Sequence, residues 1–255
     1  MPFSAGQLEA LRQPNQLWGA DRFVLIGAGA LGCFLDMRWR GTADLDLTLA
    51  ISLEEYLDQT LVPEWRRDQW MEHRWYSPAG DIVDIIPAGP ELLRQGVVQW
   101  PKTGHRMSLT GLRLAFEKRL PVEVAPDLTV MVAPIPVLTV LKIVAFHDRP
   151  EERKRDLADL AYILTEYDPE DRFTDEALEL GLSYEAVGPF LLARKISEMV
   201  NEIERVEVER FVKEASDEDD PSGVQVKLLA LGPPSWKRDP EELSQSIRAF
   251  RRGLR

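Results

Sequence analysis

The chain has 255 residues, of which 44% are hydrophobic and 29% are charged, and its formal net charge is −12. This length suits one large globular domain or two small ones, and the acidic balance argues against general binding to phosphate backbones. The single cysteine, Cys33, excludes a disulfide framework and a cysteine-based zinc site. The chain shows neither a charged-then-apolar leader nor a run of about 18 apolar residues, so we expect a soluble cytoplasmic protein that does not enter a membrane.

The sequence of the first half of the chain predicts a mixture of short helices and strands. Ser52 is a typical helix N-cap, and two apolar runs around the turn Ser77-Pro-Ala-Gly80 predict a β-hairpin. The predicted elements, in chain order, are a capped helix over 4–18 that Pro14 breaks, a strand over 22–28, a helix over 29–39, a strand over 44–51, a helix over 52–61, the hairpin over 73–88, and short strands and turns over 108–133.

From Pro134 onward the pattern becomes mainly helical. Apolar residues recur at helical spacing over 134–149 and 152–167, and two prolines suit the start of the first helix. Further helices follow; then come an acidic loop or linker over 216–223, a strand or linker over 224–234 and a terminal helix over 240–255. The change predicts an α+β domain over residues 1–133 and a helical domain over residues 134–255.

The stretch RFVLIGAGALG, residues 22–32, has the G-x-G-x-x-G spacing of a dinucleotide-binding turn. In such a fold the acid that binds the ribose follows the second strand. Here Asp44 and Asp46 precede the apolar run LTLAI, and the rest of the chain lacks repeated strand–helix alternation. An NAD(P)-dependent reductase is therefore the weaker interpretation of this turn.

The acids of the same region suggest a metal site instead. Asp44 and Asp46 share one face of a strand, and two carboxylates so close together repel each other unless a cation lies between them. Asp84 lies within IVDII, where an uncompensated charge is costly. Three carboxylates from neighbouring strands can hold two Mg²⁺ ions, which activate an attacking hydroxyl and stabilise leaving pyrophosphate, while glycine-turn amides cradle a triphosphate. The alternatives are solvated surface acids and an ordinary tight turn.

These motifs resemble the nucleotidyltransferases of the DNA polymerase β superfamily, in particular the AbiEii/AbiGii-type toxins of type IV toxin–antitoxin systems. That family has a Gly-Gly-Ser/Thr-Ala-Leu turn, then R-x-T/S-x-D-x-D-L, a third carboxylate in an apolar strand, a helix with a lysine, and K-D-x-x-D-L. The residues at the corresponding positions, roughly within 20–165, are Gly27, Ala28, Gly29, Ala30, Leu31, Arg40, Thr42, Asp44, Asp46, Leu47, Asp84, Lys142, Lys154, Asp156, Asp159 and Leu160.

The chain departs from the family pattern at two places. Ala28 and Gly29 stand where the family has a second glycine and a hydroxyl residue, which removes one possible contact to the triphosphate. Arg155 interrupts the Lys-Asp pair of the last motif. The backbone amides of the turn remain, so the departures weaken the expected phosphate binding without removing it.

The resemblance implies a polymerase-β-like mixed sheet with flanking helices, followed by a mainly helical domain that contributes to the nucleotide site. It also implies transfer of a nucleotide from an NTP to a hydroxyl of RNA, including tRNA, of a protein or of a small molecule, and an antitoxin as a partner. A nucleotide-binding module without catalysis is the non-enzymatic alternative.

The resemblance assigns roles to individual residues. Asp44 and Asp46 would bind both Mg²⁺ ions, and Asp84 would be the third ligand and the base on the acceptor hydroxyl. Arg40 either contacts phosphate or pairs with an acid, and Thr42 is favoured as a local backbone partner. Lys142 either contacts the triphosphate or reaches the surface, and Asp156 orients Lys142 or a basic neighbour. The full set assigned to the nucleotide is Gly27, Ala28, Gly29, Arg40, Thr42, Lys142 and Asp156.

Overall fold

The structure, a computed structural model, describes residues 3–37, 41–58, 62–169, 175–221 and 223–255, without the side chain of Leu178. The chain is α+β and divides into two compact units, Met1–Leu138 and Thr139–Arg255. No helix within these described ranges is both long and apolar enough to cross a membrane.

The first unit combines a mixed sheet with short helices. Ser4 and Gln7 form a capping box at the start of the first helix, and Ser52 with Glu55 does the same for the third. The elements are α1 (Ala5–Trp18), β1 (Phe23–Ile26), α2 (Gly27–Leu31), β2 (Asp44–Leu49), α3 (Leu53–Leu57), β3 (Arg66–Arg67), β4 (Arg74–Tyr76), β5 (Ile82–Pro87), α4 (Pro90–Gln95), β6 (Val97–Gln99), β7 (Arg106–Ser108), α5 (Leu112–Lys118), β8 (Leu120–Ala125) and β9 (Leu128–Val132).

Seven strands form one sheet in the order β3-β4-β5-β2-β1-β9-β8, and β6 pairs with β7 in a separate ribbon. The pairs β2/β5 and β1/β9 are parallel, whereas β1/β2, β3/β4, β4/β5 and β8/β9 are antiparallel. This mixed sheet confirms the predicted fold class. The antiparallel pairing of β1 with β2 differs from the parallel pairing of a dinucleotide-binding sheet, which argues against the reductase.

The two central strands β2 and β5 present different chemistry on their two faces. Leu45 and Leu47 of β2 are fully buried, as are Val83 and Ile85 of β5. Because side chains alternate along a strand, the residues between them, including the acids, project from the opposite face. Burial of these apolar side chains therefore fixes which face carries the predicted site.

The second unit is helical. Its core includes Ala186 and Phe190 of one helix packed with Ala249 of another. The helix α6 (Ile135–Asp148) begins within the first unit, and the helices that follow are α7 (Lys154–Glu166), α8 (Asp175–Glu179), α9 (Tyr184–Ser197), α10 (Glu202–Ala215), α11 (Val224–Leu231), α12 (Pro234–Arg238) and α13 (Pro240–Gly253).

Four predicted elements were wrong in detail. α1 continues through Pro14, whose buried ring lies on the same face as buried Ala10 and Leu11, so packing compensates for the missing amide donor. α2 ends at Leu31 rather than residue 39, in a segment where glycines lower helix propensity. The remaining two are helices where strands or a linker were predicted: α5, which begins after Gly111 in the left-handed conformation, and α11, whose buried residues include Val224 and Leu228 at helical spacing.

Candidate active site

One level of the mixed sheet carries acids on two adjacent strands. Asp46 of β2 is paired in parallel register with Asp84 of β5, and Asp44 lies two residues earlier on β2. Side chains repeat every two residues and neighbouring strands lie about 4.8 Å apart, so the three carboxylates share one face of the sheet. The structure thus brings together the three acids that the sequence singled out. We call Asp44, Asp46 and Asp84, with Arg74 described next, the acidic site.

Arg74 of β4 holds Asp84, and sequence reasoning missed it. The two residues are paired in antiparallel register, and Nε and Nη2 of Arg74 donate to Oδ1 and Oδ2 of Asp84, both over 2.8 Å. Nη2 also lies 3.7 Å from Oδ2 of Asp44. The hydrogen bonds to Asp84, followed by the charges of Asp84 and Asp44, raise the pKa of Arg74 although burial opposes this, so the guanidinium stays charged.

The ion pair explains how Asp84 tolerates its apolar surroundings. Asp84 is only 7% exposed, and a buried carboxylate needs a partner. The sequence predicted metal cations as the compensating charge, and the structure places the Arg74 guanidinium beside Asp84 instead.

His73 also lies close to Asp84, with Nε2 3.8 Å from Oδ2 of Asp84 and its ring centroid 5.9 Å from that of Trp100. The predicted hairpin contained the signal for Arg74, but the pairing register could not be read from the turn alone.

Gly27 and Asp46 approach each other more closely than any other residue at position 27 would allow. Asp46 is paired with Ile26, the last residue of β1, so its side chain stands beside the start of α2. A Cβ atom on Gly27 would lie 2.0 Å from Oδ2 of Asp46, and the φ angle of Gly27 is +69°. Glycine is therefore required both by the left-handed backbone and by the carboxylate.

The next residues of the turn have a different environment. Ala28 and Gly29 are buried within α2. A Cβ on Gly29 would lie 3.3 Å from Cε1 of Phe3 and 3.6 Å from Cδ2 of Leu45, so that side of Gly29 faces the apolar core. Contact of Ala28 or Gly29 with a nucleotide phosphate stays a prediction, and it concerns their backbone amides.

Thr42 is bound to the start of β2. Its hydroxyl donates to the carbonyl oxygen of Asp44 over 2.8 Å, and its Oγ1 lies 3.4 Å from Oδ1 of the same residue. Gln7 Nε2 in turn donates to the Thr42 carbonyl over 3.2 Å. These contacts give Thr42 a local role beside Asp44. Arg40, which the sequence assigned to phosphate or to an acid, lies outside the described residues.

Asp44 and Asp46 are the residues of the acidic site that could hold a divalent cation. Asp44 and Asp46 offer carboxylates from one face of β2, and the Asp44 side chain is 39% exposed, so water can supply the further oxygen ligands that Mg²⁺ prefers. Both oxygens of Asp84 accept hydrogen bonds from Arg74. Within the part of the chain that the structure describes, no group of three or more His, Cys, Asp or Glu side chains forms a metal-ligand set. Two Mg²⁺ ions on three carboxylates stay a prediction.

The second unit contains a buried cluster in which one lysine lies between two acids. Nζ of Lys142 on α6 lies 3.0 Å from Oδ1 of Asp156 and 2.5 Å from Oδ2 of Asp159, both on α7. The two acids are three residues apart and share one face of the helix. The side chains of Lys142 and Asp159 are 6% and 0% exposed. We call these three residues the lysine cluster.

Charge keeps Lys142 protonated in this cluster. Burial lowers the pKa of Lys142, but the charges of Asp156 and Asp159 and their hydrogen bonds more than offset this, so the pKa is raised above its ordinary value. Arg153 adds a further cation, 3.6 Å from Oδ2 of Asp156. Asp156 contacts Lys142 as its predicted orienting role requires. Contact of Lys142 with a triphosphate stays a prediction.

Fold and acidic site together define a nucleotidyltransferase-type α+β protein with a helical C-terminal part. The family described as "Nucleotidyl transferase AbiEii toxin, Type IV TA system" matches residues 16–239, and the chain belongs to this family. The sequence resemblance is thereby confirmed, and the match extends beyond residue 165 into helices in which no motif could be read. A search of curated proteins found no match to the chain.

Proposed function

We propose that the chain transfers a nucleoside monophosphate from an NTP to an acceptor hydroxyl with the help of Mg²⁺. The observation that carries the proposal is the position of Asp46, which lies between Asp84 on the neighbouring strand and the side-chain-free Gly27 of the turn. Membership of a family of nucleotidyl transferase toxins supports the same reaction. The family also supports the presence of an antitoxin as the second component of the system.

The proposed reaction exchanges one phosphorus–oxygen bond for another. The acceptor oxygen attacks the α-phosphorus, the bond to the pyrophosphate oxygen breaks, pyrophosphate leaves, and the hydroxyl proton passes to a base. Asp44 and Asp46 would hold the cation, and bound Mg²⁺ would supply Lewis-acid stabilisation of the phosphoryl oxygens. We assign the base role to Asp84, because each of its oxygens keeps a lone pair beside the hydrogen bond from Arg74.

Further residues are proposed for nucleotide binding. The backbone amides of Gly27, Ala28 and Gly29 would contact phosphate oxygens at the start of α2. Lys142, oriented by Asp156, would supply a positive charge for the triphosphate. Arg40 and Thr42 complete the proposed set. The acceptor is a hydroxyl of RNA, including tRNA, of a protein, or of a small molecule.

The test is incorporation of label from each α-³²P NTP, with Mg²⁺, into total tRNA, cellular protein and a panel of small polyols. Asp46→Asn should lower the rate at least about a hundredfold, since it removes a charge at the proposed cation position. Asp127→Asn is the matched control, because Asp127 is an exposed acid of the first unit that pairs with Arg12. Undiminished transfer by Asp46→Asn would refute the proposed role of the acidic site.

The alternatives predict different ligands. A thermal shift with NTP and Mg²⁺, without transfer to any acceptor class, would favour a nucleotide-binding module without catalysis. A metal-independent shift with NADPH alone would favour the reductase. A ligand at about 100 times its Kd adds roughly 2.7 kcal/mol to the free energy of unfolding, which is readily measured.

A further inference from the structure

Arg74 stands where a three-carboxylate metal centre would place positive charge. Its guanidinium donates to both oxygens of Asp84, and Nη2 lies 3.7 Å from Asp44. Asp46 is the register neighbour of Asp84 on β2. The guanidinium therefore lies among the same acids that two metal ions would have to share.

The surrounding structure holds β4 and its arginine firmly. Trp75, the next residue of β4, is 1% exposed and donates from Nε1 to Tyr56 Oη over 2.9 Å. Its ring and that of Trp100 both contact the Tyr56 ring edge-on. The backbone amide of Ile85 on β5 donates to the His73 carbonyl over 2.7 Å. These contacts anchor the strand on both sides of Arg74, so its side chain is presented to Asp84 from a packed support.

The geometry of the pair is specific to arginine. Two parallel hydrogen bonds of 2.8 Å from Nε and Nη2 form the bidentate arrangement that a carboxylate makes with a guanidinium and cannot make with an ammonium. The Arg74 and Asp84 side chains are 19% and 11% exposed. The guanidinium uses one lone pair on each oxygen of Asp84 and places its positive charge there, so it disfavours a metal ion at Asp84 while the pair is intact.

Arg74 already places a positive charge against Asp84. A second ion at Asp84 would meet the guanidinium at close range. Asp44 and Asp46 are the two other carboxylates of the acidic site. Among the described residues no group of three or more His, Cys, Asp or Glu side chains forms a metal-ligand set, which agrees with a single ion.

We propose that Arg74 is a positioning residue that takes the place of a second cation. By pairing with Asp84, it limits the nucleotide-free protein to one divalent ion, which Asp44 and Asp46 hold. The inference rests on the proposed function, because it concerns the cation of that same site. It assigns Asp84 to the arginine rather than to the metal before the nucleotide arrives. Loss of the guanidinium should free Asp84 as a ligand and open a second position.

The experiment counts Mn²⁺ ions bound to the nucleotide-free full chain by electron paramagnetic resonance. We expect one bound ion for the wild type and two for Arg74→Gln. Arg12→Gln is the matched control, because Arg12 also makes a two-point pair, with Asp127, but on an exposed surface; it should still bind one ion. Two equivalent ions on the wild type, no bound ion, or a count unchanged by folded Arg74→Gln would overturn the proposal.

A second variant keeps the test decisive if Arg74→Gln does not fold. Asp84→Asn should still bind one Mn²⁺, because Asp84 is not a ligand in the wild type, whereas Asp46→Asn should lose at least about tenfold in affinity. Loss of the bound ion in Asp84→Asn would refute the proposal. Failure of transfer with a normal Mn²⁺ count would refute the proposed function and leave the role of Arg74 standing, so the two failures are distinguishable.

Discussion

The acidic site and the lysine cluster are built from the same types of side chain, but they differ in how far these side chains are exposed to solvent. Each combines carboxylates with a basic side chain held by at least one of them. In the lysine cluster the cation is 6% exposed and lies between two acids, one of which is fully buried. In the acidic site Asp44 is 39% exposed, and the arginine is committed to Asp84. We expect the first arrangement to stabilise the fold in addition to positioning Lys142, whereas the second leaves the Asp44 carboxylate accessible to a ligand.

The largest expected effect is the loss of the lysine in the buried cluster. Lys142→Ala leaves two carboxylates without their cation in a water-poor environment and should lower the free energy of unfolding by about 3–5 kcal/mol. Urea denaturation followed by circular dichroism measures this. Lys195→Ala is the matched control, since Lys195 is exposed on α9, and should change stability by less than about 0.5 kcal/mol. A loss below about 1 kcal/mol for Lys142→Ala would contradict a structural role for the cluster.

The stability difference between wild type and Lys142→Ala should also depend on pH in the alkaline range. Folding raises the pKa of Lys142, so its contribution to stability is complete below the ordinary lysine pKa of 10.5 and disappears as the pH rises through the folded value. The stability difference between wild type and Lys142→Ala should therefore persist at pH 9 and decline only above about pH 10.5. Denaturation curves of both proteins across this range give the difference directly, and a decline centred near neutral pH would exclude Lys142 as its source.

The second-largest expected loss of stability follows from adding a methyl group at Gly27, beside the acidic site. Gly27→Ala imposes the left-handed conformation on alanine and drives Cβ against the Asp46 carboxylate, at a cost of about 2–4 kcal/mol. Gly96→Ala is a close control: Gly96 has a φ angle of +70°, but a Cβ there meets nothing within 4 Å. It should cost only about 1–2 kcal/mol.

The two glycine variants also separate backbone strain from damage to the site. Mn²⁺ affinity should fall in Gly27→Ala, because the Asp46 carboxylate must move, and should be retained in Gly96→Ala. Titration of Mn²⁺ into the nucleotide-free proteins measures both. Equal affinities would mean that the close approach of Gly27 to Asp46 has no bearing on the cation.

Local periodicity made one half of the acidic site predictable. The alternation DLDLTL places Asp44 and Asp46 on the same face of β2 without knowledge of the neighbouring strand, and the predicted hairpin supplied β4 and β5. Asp156 and Asp159 were likewise readable as one face of a helix. These features depend on residues a few positions apart, where strand and helix periods act directly.

The other half depends on pairing between distant residues. The opposition of Arg74 to Asp84 requires the hairpin register, and a slip of one residue would have placed Arg74 on the other face. The close approach of Gly27 to Asp46 requires β1 and β2 to be antiparallel, which no local pattern encodes. Pro14 and α11 were misjudged for a related reason, because tertiary burial outweighed local propensity.

Glu72, which lies two residues before Arg74 in the sequence, should show a smaller, acid-sensitive effect on stability. This 3% exposed carboxylate accepts hydrogen bonds from the amides of Lys102 and Thr103 over 3.0 Å and from the Thr103 hydroxyl over 2.8 Å. Burial raises the pKa of Glu72, but these bonds more than offset it, so the pKa is lowered. Glu72→Gln should lower the free energy of unfolding by about 1–3 kcal/mol at pH 7.

The sign of the pH dependence distinguishes Glu72 from the lysine cluster. A lowered carboxyl pKa stabilises the fold above the ordinary value of 4.5, and this contribution is lost as the pH falls through the folded value. The wild-type advantage over Glu72→Gln should therefore shrink below about pH 4.5 and stay constant from pH 6 to 8. Parallel urea titrations measure it, and an advantage that survives at pH 3 would exclude the ionised carboxylate as the cause.

The smallest expected effect is on the accessible acid of the site. Without divalent cations, Asp44→Asn should change the free energy of unfolding by less than about 1 kcal/mol, because the partly exposed carboxylate gains little from Arg74 and is repelled by its acidic neighbours. With Mn²⁺ at ten times the wild-type Kd, the wild type should gain about 1.4 kcal/mol and the variant less. A large loss without metal would give Asp44 the same structural role as the buried acids of the lysine cluster. An equal gain in the free energy of unfolding in both proteins would mean that Asp44 does not bind the cation. The acidic site would then lack the accessible ligand by which it differs from the lysine cluster.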